Sequence, residues 1–172
     1  MSSPYRSEPA RNEPIGVLFV CLGNICRSPV AEGLFLHLAN ERGMADRFDV
    51  DSCGIGHWHI GKAPHEGSRT VAKKKGVHLP SVGRQLNPDV DFDRFELLIA
   101  MDNENRLDLL DAGANESRVR LLRSFDPALN GRALDVPDPY GQGAAAFERM
   151  WAAIEPGCVG LLDWLTDDRT QP

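Results

Sequence analysis

The chain has no apolar run long enough to cross a bilayer. Its longest stretches, residues 15–22 and 97–101, fall well short of the roughly 20 residues that a spanning helix needs. Positive charge is not in excess either: 19 Lys and Arg stand against 25 Asp and Glu, a formal net charge of -6. A generic nucleic-acid binder carries a basic patch, whereas here only Lys73, Lys74 and Lys75 cluster, at what reads as the solvated end of a helix. Cysteine is scarce, with 4 residues, which excludes a disulfide-dense miniprotein. Repeats and low-complexity segments are absent. No basic segment precedes the first apolar run, so no signal peptide is evident and the expected location is cytoplasmic.

What remains is an ordinary globular chain. Its 172 residues, 42% apolar and 26% charged, suit one domain with a full core and exclude a disordered or collagen-like polymer. Because the overall field repels anions, any anionic ligand must be held by a local device.

Residues 1–14 read as a flexible tail, 15–168 as the domain and 169–172 as a short C-terminal tail. Residues 15–20, IGVLFV, form a short β-branched run typical of a strand buried on both faces. Residues 29–42 carry apolar side chains at helical spacing and stop at Gly43. Further strands are expected over 48–52, 96–101 and 119–122, with helices over 65–75, 102–111 and 144–165. Asp102 can cap the helix that follows it. Residues 123–143 make a long Pro/Gly/Asp-rich loop of the kind that usually carries function. Pro156 should kink or split the last helix. Strands alternating with helices imply a parallel sheet with right-handed crossovers and a ligand crevice at the carboxyl ends of its strands.

The segment 20–29, VCLGNICRSP, joins the first strand directly to a helix. Ser28 reads as its N-cap and Pro29 as its first helical residue. The helix start exposes N–H groups and positive partial charge, which together make an anion site. Gly23 and Asn24 tolerate left-handed backbone, so successive N–H groups can turn inward as a nest. A thiol at Cys21 in that field, beside Arg27, would be driven toward thiolate. Five residues separate the two, enough for one loop to circle a tetrahedral oxyanion gripped by a bidentate guanidinium. The plain alternative is a packed cysteine after a strand and an arginine on a first helical turn. It leaves the Gly-Asn turn and the Ser-Pro helix start unexplained.

VCLGNICRSP, followed far downstream by DVPDPYG at 135–141, strongly resembles the low-molecular-weight protein tyrosine phosphatase family. The resemblance covers residues 15 to about 165. It implies a single-domain α/β fold with a central four-stranded parallel twisted sheet, helices on both faces and the phosphate-binding loop after the first strand. It implies no metal and no cofactor. Cys21 would be the nucleophile that forms a phosphocysteine, Arg27 the phosphoryl-binding residue and Asp138 the general acid and later base. Leu22, Gly23, Asn24, Ile25, Cys26 and Ser28 would form the phosphate-binding loop, with Ser52 and His78 supporting it by hydrogen bonds. Trp58 and Tyr140 would wall the cleft for an aromatic ring. The implied partners are tyrosine-phosphorylated proteins, with no nucleic acid and no membrane insertion, and the implied state is a monomer or weak dimer. In the family the second loop cysteine, here Cys26, can form a reversible disulfide with the nucleophile; a small packed residue is the other reading.

Other readings are open to test. Asp135 is the second candidate acid. His57 and His59 with Cys53 match metal-ligand spacing only loosely. Arsenate reduction on the same fold would need a relay cysteine pair, and residues 76–101 contain none. Protein arginine phosphatases typically have threonine where Ile25 stands. A catalytically silent anion-binding module would have no use for Cys21, Arg27 and Asp138 together. Tyr140 is followed by Gly141, where many family members have a second aromatic.

Overall fold

The computed structural model describes residues 13–166, so most of the expected N-terminal tail and residues 167–172 lie outside the described residues. Four parallel strands form the sheet: β1 (Ile15–Cys21), β2 (Phe48–Gly54), β3 (Leu97–Ala100) and β4 (Val119–Leu121), in the order β2-β1-β3-β4. Every residue of β1 is buried, as its unbroken apolar run requires for a central strand covered on both faces. The chain leaves β1 toward β2 on one side and later returns to β3 on the other. The carboxyl end of β1 is therefore where strand order reverses, the place at which such sheets open a ligand crevice.

Five α-helices are described: α1 (Arg27–Glu41), α2 (Glu66–Lys74), α3 (Pro88–Arg94), α4 (Asn103–Asp111) and α5 (Ala144–Thr166). The pleat of the sheet divides the core in two. Val17, Phe19, Leu97 and Ile99 face α1, α2 and α5, burying Phe35, Val71, Met150 and Ile154. Leu18, Val20, Leu98 and Ala100 face the other way, against Phe92 of α3 and Leu109 of α4. Asp102 caps α4 as expected, accepting from the Asn105 N–H at 2.8 Å.

Two local expectations need correction. α1 begins at Arg27 with Cys26 as its N-cap residue, so Ser28 lies inside the first turn and its hydroxyl is spent elsewhere. The last helix is not split: α5 runs for 23 residues straight through Pro156. An internal proline costs about 3 kcal/mol, and here packing on both sides of it outweighs that. Trp151, Ile154, Leu161 and Leu162 are all buried, each large apolar side chain contributing about 1.5–3 kcal/mol. A Cβ at Gly157 would lie 2.8 Å from Leu122, so the helix sits directly on the turn that follows β4. α3 was missing from the pattern because its seven residues, PDVDFDR, carry three acids and no helical apolar stripe.

Candidate active site

Cys21 is the last residue of β1, and its register partner is Gly54 at the end of β2. Gly54 has to be glycine: a Cβ there would come within 2.8 Å of Gly23 and 2.9 Å of the Asn24 nitrogen. The loop from Leu22 to Cys26 can therefore lie directly against the strand end. Asn24 turns it with φ 53°, the left-handed conformation expected of the Gly-Asn pair.

The loop's carbonyls are tied outward. Those of Cys21 and Leu22 accept from the N–H groups of Ile55 and Gly56, and that of Ile25 from His65. The Cys26 carbonyl accepts from the Ser68 hydroxyl at 3.0 Å. Because each peptide is planar and trans, the N–H groups of Leu22, Gly23, Cys26 and Arg27 must point the opposite way. This is how a short sequence with few cations builds an anion cradle, completed by the start of α1.

Within it, the Asn24 N–H approaches the Cys21 sulfur at 3.3 Å and the Ser28 hydroxyl lies 3.0 Å from it. The Asn24 amide donates to Ser28 Oγ at 2.8 Å and to Ser52 Oγ at 3.0 Å. Ser28 and Ser52 thus occupy the positions expected of them, and Ser28 serves the sulfur rather than the helix end. His78 does not. It is exposed, and among the described residues its ring has no hydrogen bond to the loop. Only its carbonyl faces α1, where a Cβ at Gly33 would lie 2.6 Å away. The support role falls instead to Glu32, Ser81 and Arg84. Ser52 and Ser81 donate to Glu32 at 3.2 and 2.7 Å, and the Arg84 N–H donates to Asn24 Oδ1 at 2.9 Å.

Arg27 is 3% exposed. Its Nη1 donates to Asp102 at 2.6 Å and to the Val136 carbonyl at 3.2 Å, while Nη2 lies 3.5 Å from Asp138. Burial opposes its charge, but the Cys21 sulfur, the Asp102 hydrogen bond and Asp138 together raise its pKa above the ordinary guanidinium value. Sequence reasoning missed this role of Asp102, because a good helix cap already explained the residue. Asp102→Asn keeps the cap and removes the charge. Loss of a hydrogen bond between charged groups, about 1.5–3 kcal/mol, should lower kcat/KM by roughly 10- to 100-fold with secondary structure intact. A loss within about twofold on steady-state assay would show that Asp102 does not hold Arg27.

Asp138 and Asp135 have different surroundings. Asp138 Oδ1 accepts from the Tyr140 N–H at 3.1 Å, a turn that Pro139 stiffens, and its other oxygen faces Arg27. Asp135 accepts from the Asn103 N–H at 2.9 Å and so sits on the start of α4. A cleft of about 370 Å³ is lined by Cys21, Leu22, Gly23, Ile25, Arg27, Trp58, His59, Asp138 and Tyr140. Trp58 stands exposed and stacks on His57 with ring centres 5.6 Å apart. His59, not anticipated as a cleft residue, packs beside Tyr140 at 5.7 Å. Cys26 is buried, which together with the Cys21 and Asp138 charges pushes its thiol up to about 12; it rests protonated at neutral pH. Cys53 and Cys158 are fully buried, and burial raises both thiols far above their ordinary value.

A doubly wound sheet with an anion cradle at its switch point, and cysteine, arginine and aspartate opening on one cleft, defines a class: an α/β phosphatase. The family model described as low molecular weight phosphotyrosine protein phosphatase matches residues 16–171, and the chain belongs to that family. The low molecular weight protein-tyrosine-phosphatase YfkJ of Bacillus subtilis is 40% identical over 148 residues, 86% of this chain and 94% of its own. Its crystal structure superposes with a TM-score of 0.82, covering 89% of this chain and 95% of that one. Low molecular weight protein-tyrosine phosphatase A of Mycobacterium tuberculosis is 39% identical over 156 residues, 91% of this chain and 94% of its own. The structure of a Drosophila arginine phosphatase is also similar, at 32% identity and a TM-score of 0.79, covering 88% of this chain and 98% of that one. Among the described residues no helix is long and apolar enough to cross a membrane.

Proposed function

We propose that this phosphatase hydrolyses phosphotyrosine in proteins, and small aryl phosphates, through a phosphocysteine on Cys21 of a catalytic domain spanning residues 15–168. The observation that carries this reading is the convergence of Cys21, Arg27 and Asp138 on one cleft whose walls are Trp58 and Tyr140. The inward N–H groups and Arg27 bind the phosphoryl oxygens and neutralise them, which lets the Cys21 sulfur approach phosphorus in line. The S–P bond forms as the P–O bond to the phenol breaks, and Asp138 gives the departing oxygen its proton. Asp138, now a carboxylate, takes a proton from water that attacks the phosphocysteine. Inorganic phosphate leaves and the sulfur is restored. The cycle needs Cys21 free of a disulfide, which favours a cytoplasmic, reducing compartment.

The similarity to an arginine phosphatase keeps a second substrate class under test. Ile25 lines the cleft, where its apolar bulk suits a phenyl ring better than a guanidinium. Peptides carrying phosphotyrosine, phosphoserine or phosphoarginine, assayed side by side, should give turnover of phosphotyrosine above both others. Ile25→Thr should move the preference toward phosphoarginine. Phosphoarginine as the best substrate of the unaltered protein would reverse the assignment.

A further inference from the structure

Glu32 is an acid where the fold has no evident need of one. It lies on the second turn of α1 at 1% exposure, surrounded by the packed face of β2. Ionised carboxylates are rarely buried without a partner cation, and this one has two hydroxyl donors, Ser52 and Ser81, instead. The groups facing it are Asp51 of β2 and, beyond Asp51, the cations that hold that residue. Arg84 reaches Asp51 at 3.0 Å and also grips Asp91, while Arg94 lies 3.7 Å from Asp51.

The direction of the hydrogen bonds gives Glu32 a connection to the nucleophile. The Asn24 amide has two protons and spends them on Ser28 and Ser52. Each serine therefore accepts from Asn24 and has its own proton to give elsewhere. Ser52 gives its proton to Glu32, and Ser28 has two acceptors for its own, the Cys21 sulfur 3.0 Å away and the Cys53 carbonyl at 3.4 Å, the sulfur being the nearer. A carboxylate at Glu32 pulls on the Ser52 proton, makes Ser52 a better acceptor and tightens the Asn24 amide between the two serines.

We propose that Glu32 is a positioning residue for the nucleophile: through Ser52 and Asn24 its carboxylate holds the loop that surrounds Cys21. The inference rests on Cys21 being the nucleophile. It also carries a pH signature. Burial, with the Asp51 charge adding to it against the two serine donors, pushes the Glu32 carboxyl up to about 7. Below that value the proton on Glu32 is shared toward Asp51, Ser52 donates to a neutral carboxyl that accepts less strongly than the carboxylate, and the loop loosens. The sign for stability is opposite. A carboxyl whose folded pKa exceeds its unfolded one favours the folded state when protonated, and that contribution is lost as pH rises through about 7. The ionised form that orders the loop is thus held against the protein's own stability.

Glu32→Gln tests this with two readouts: kcat/KM on an aryl phosphate, and the rate of Cys21 alkylation by iodoacetamide, which involves neither substrate ionisation nor Asp138. Both should be about two- to tenfold lower than wild type near pH 8 and converge with wild type near pH 5.5, where the wild-type Glu32 is protonated and residue 32 is neutral in both proteins. A constant ratio across the range, or superimposed profiles, overturns the proposal. If Glu32→Gln does not fold, Ser52→Ala cuts the same connection while Ser81 still holds Glu32. That variant must lose the wild-type pH step near 7, and a retained step overturns the proposal equally. Alkylation of Cys21 that leaves activity intact would remove the nucleophile assignment and this inference with it. Alkylation that inactivates every variant while the profiles stay parallel removes only the role of Glu32.

Discussion

Cys21→Ser should abolish turnover and leave anion binding in place. The sulfur is the only atom of the cradle that can form a bond to phosphorus at neutral pH, since an unassisted serine hydroxyl is a far weaker nucleophile than a thiolate. Loss of a covalent nucleophile costs on the order of 10⁶ in kcat. The binding apparatus, by contrast, does not pass through the sulfur. The outward ties of the loop carbonyls to Ile55, Gly56 and His65 survive the change, as does the pairing of Arg27 with Asp102. A serine hydroxyl can also take the places the sulfur holds beside the Asn24 N–H and Ser28. Inorganic phosphate or vanadate should therefore still quench the fluorescence of Trp58, which stands in the cleft wall. Multiple turnover by the variant would take Cys21 out of the nucleophile role. Loss of anion binding with the fold retained would mean that the sulfur itself organises the cradle.

Much of this was readable from the chain because the informative features are local. The unbroken apolar run of β1 announces a central strand, and a loop that passes at once into a helix needs only a few residues to make an anion site. The pairing of VCLGNICRSP with a distant Asp-Pro-Tyr names the family. What the sequence concealed are contacts between residues far apart along the chain. Arg27 meets Asp102 across 75 positions, and nothing near either residue announces the other. Asp102 was already explained as a cap, and a side chain has two oxygens with which to do two jobs. Its place before Pro29 makes Ser28 read as a cap, whereas the family resemblance puts it in the phosphate-binding loop, and there its hydroxyl lies between Asn24 and the sulfur. The resemblance implies His78 only by its place along the chain. In space it is Glu32, taking protons from Ser52 and Ser81, that stands in the network, while His78 lies exposed. Pro156 shows propensity yielding to tertiary packing, as it does wherever a buried helix face is long enough to hold both halves in line.

Asp138→Asn separates proton transfer from every other contribution of the site. A tyrosine phenol has a pKa of about 10, so expelling it unprotonated near neutral pH is slow. General acid help at such a step is worth roughly 10²- to 10⁴-fold. Asparagine keeps the side-chain oxygen that accepts from the Tyr140 N–H, so the turn before Pro139 should persist. It also ends the charge interaction with Arg27 Nη2 at 3.5 Å. Asp138 is half exposed, so that change is worth little. With phosphotyrosine the rate of Cys21 phosphorylation should fall by an amount within the general-acid range. An aryl phosphate whose phenol is far more acidic needs little protonation and should lose much less. On the proposed mechanism the water-attack step would use Asp138 as a base with either substrate, so the comparison belongs on burst or single-turnover rates, where only the first step is seen. Asp135→Asn supplies the control, because its carboxylate is committed to the Asn103 N–H at the start of α4. It should cost stability and show no dependence on the leaving group. Equal losses for the two substrates in Asp138→Asn, or a leaving-group pattern in Asp135→Asn, would move the acid away from Asp138.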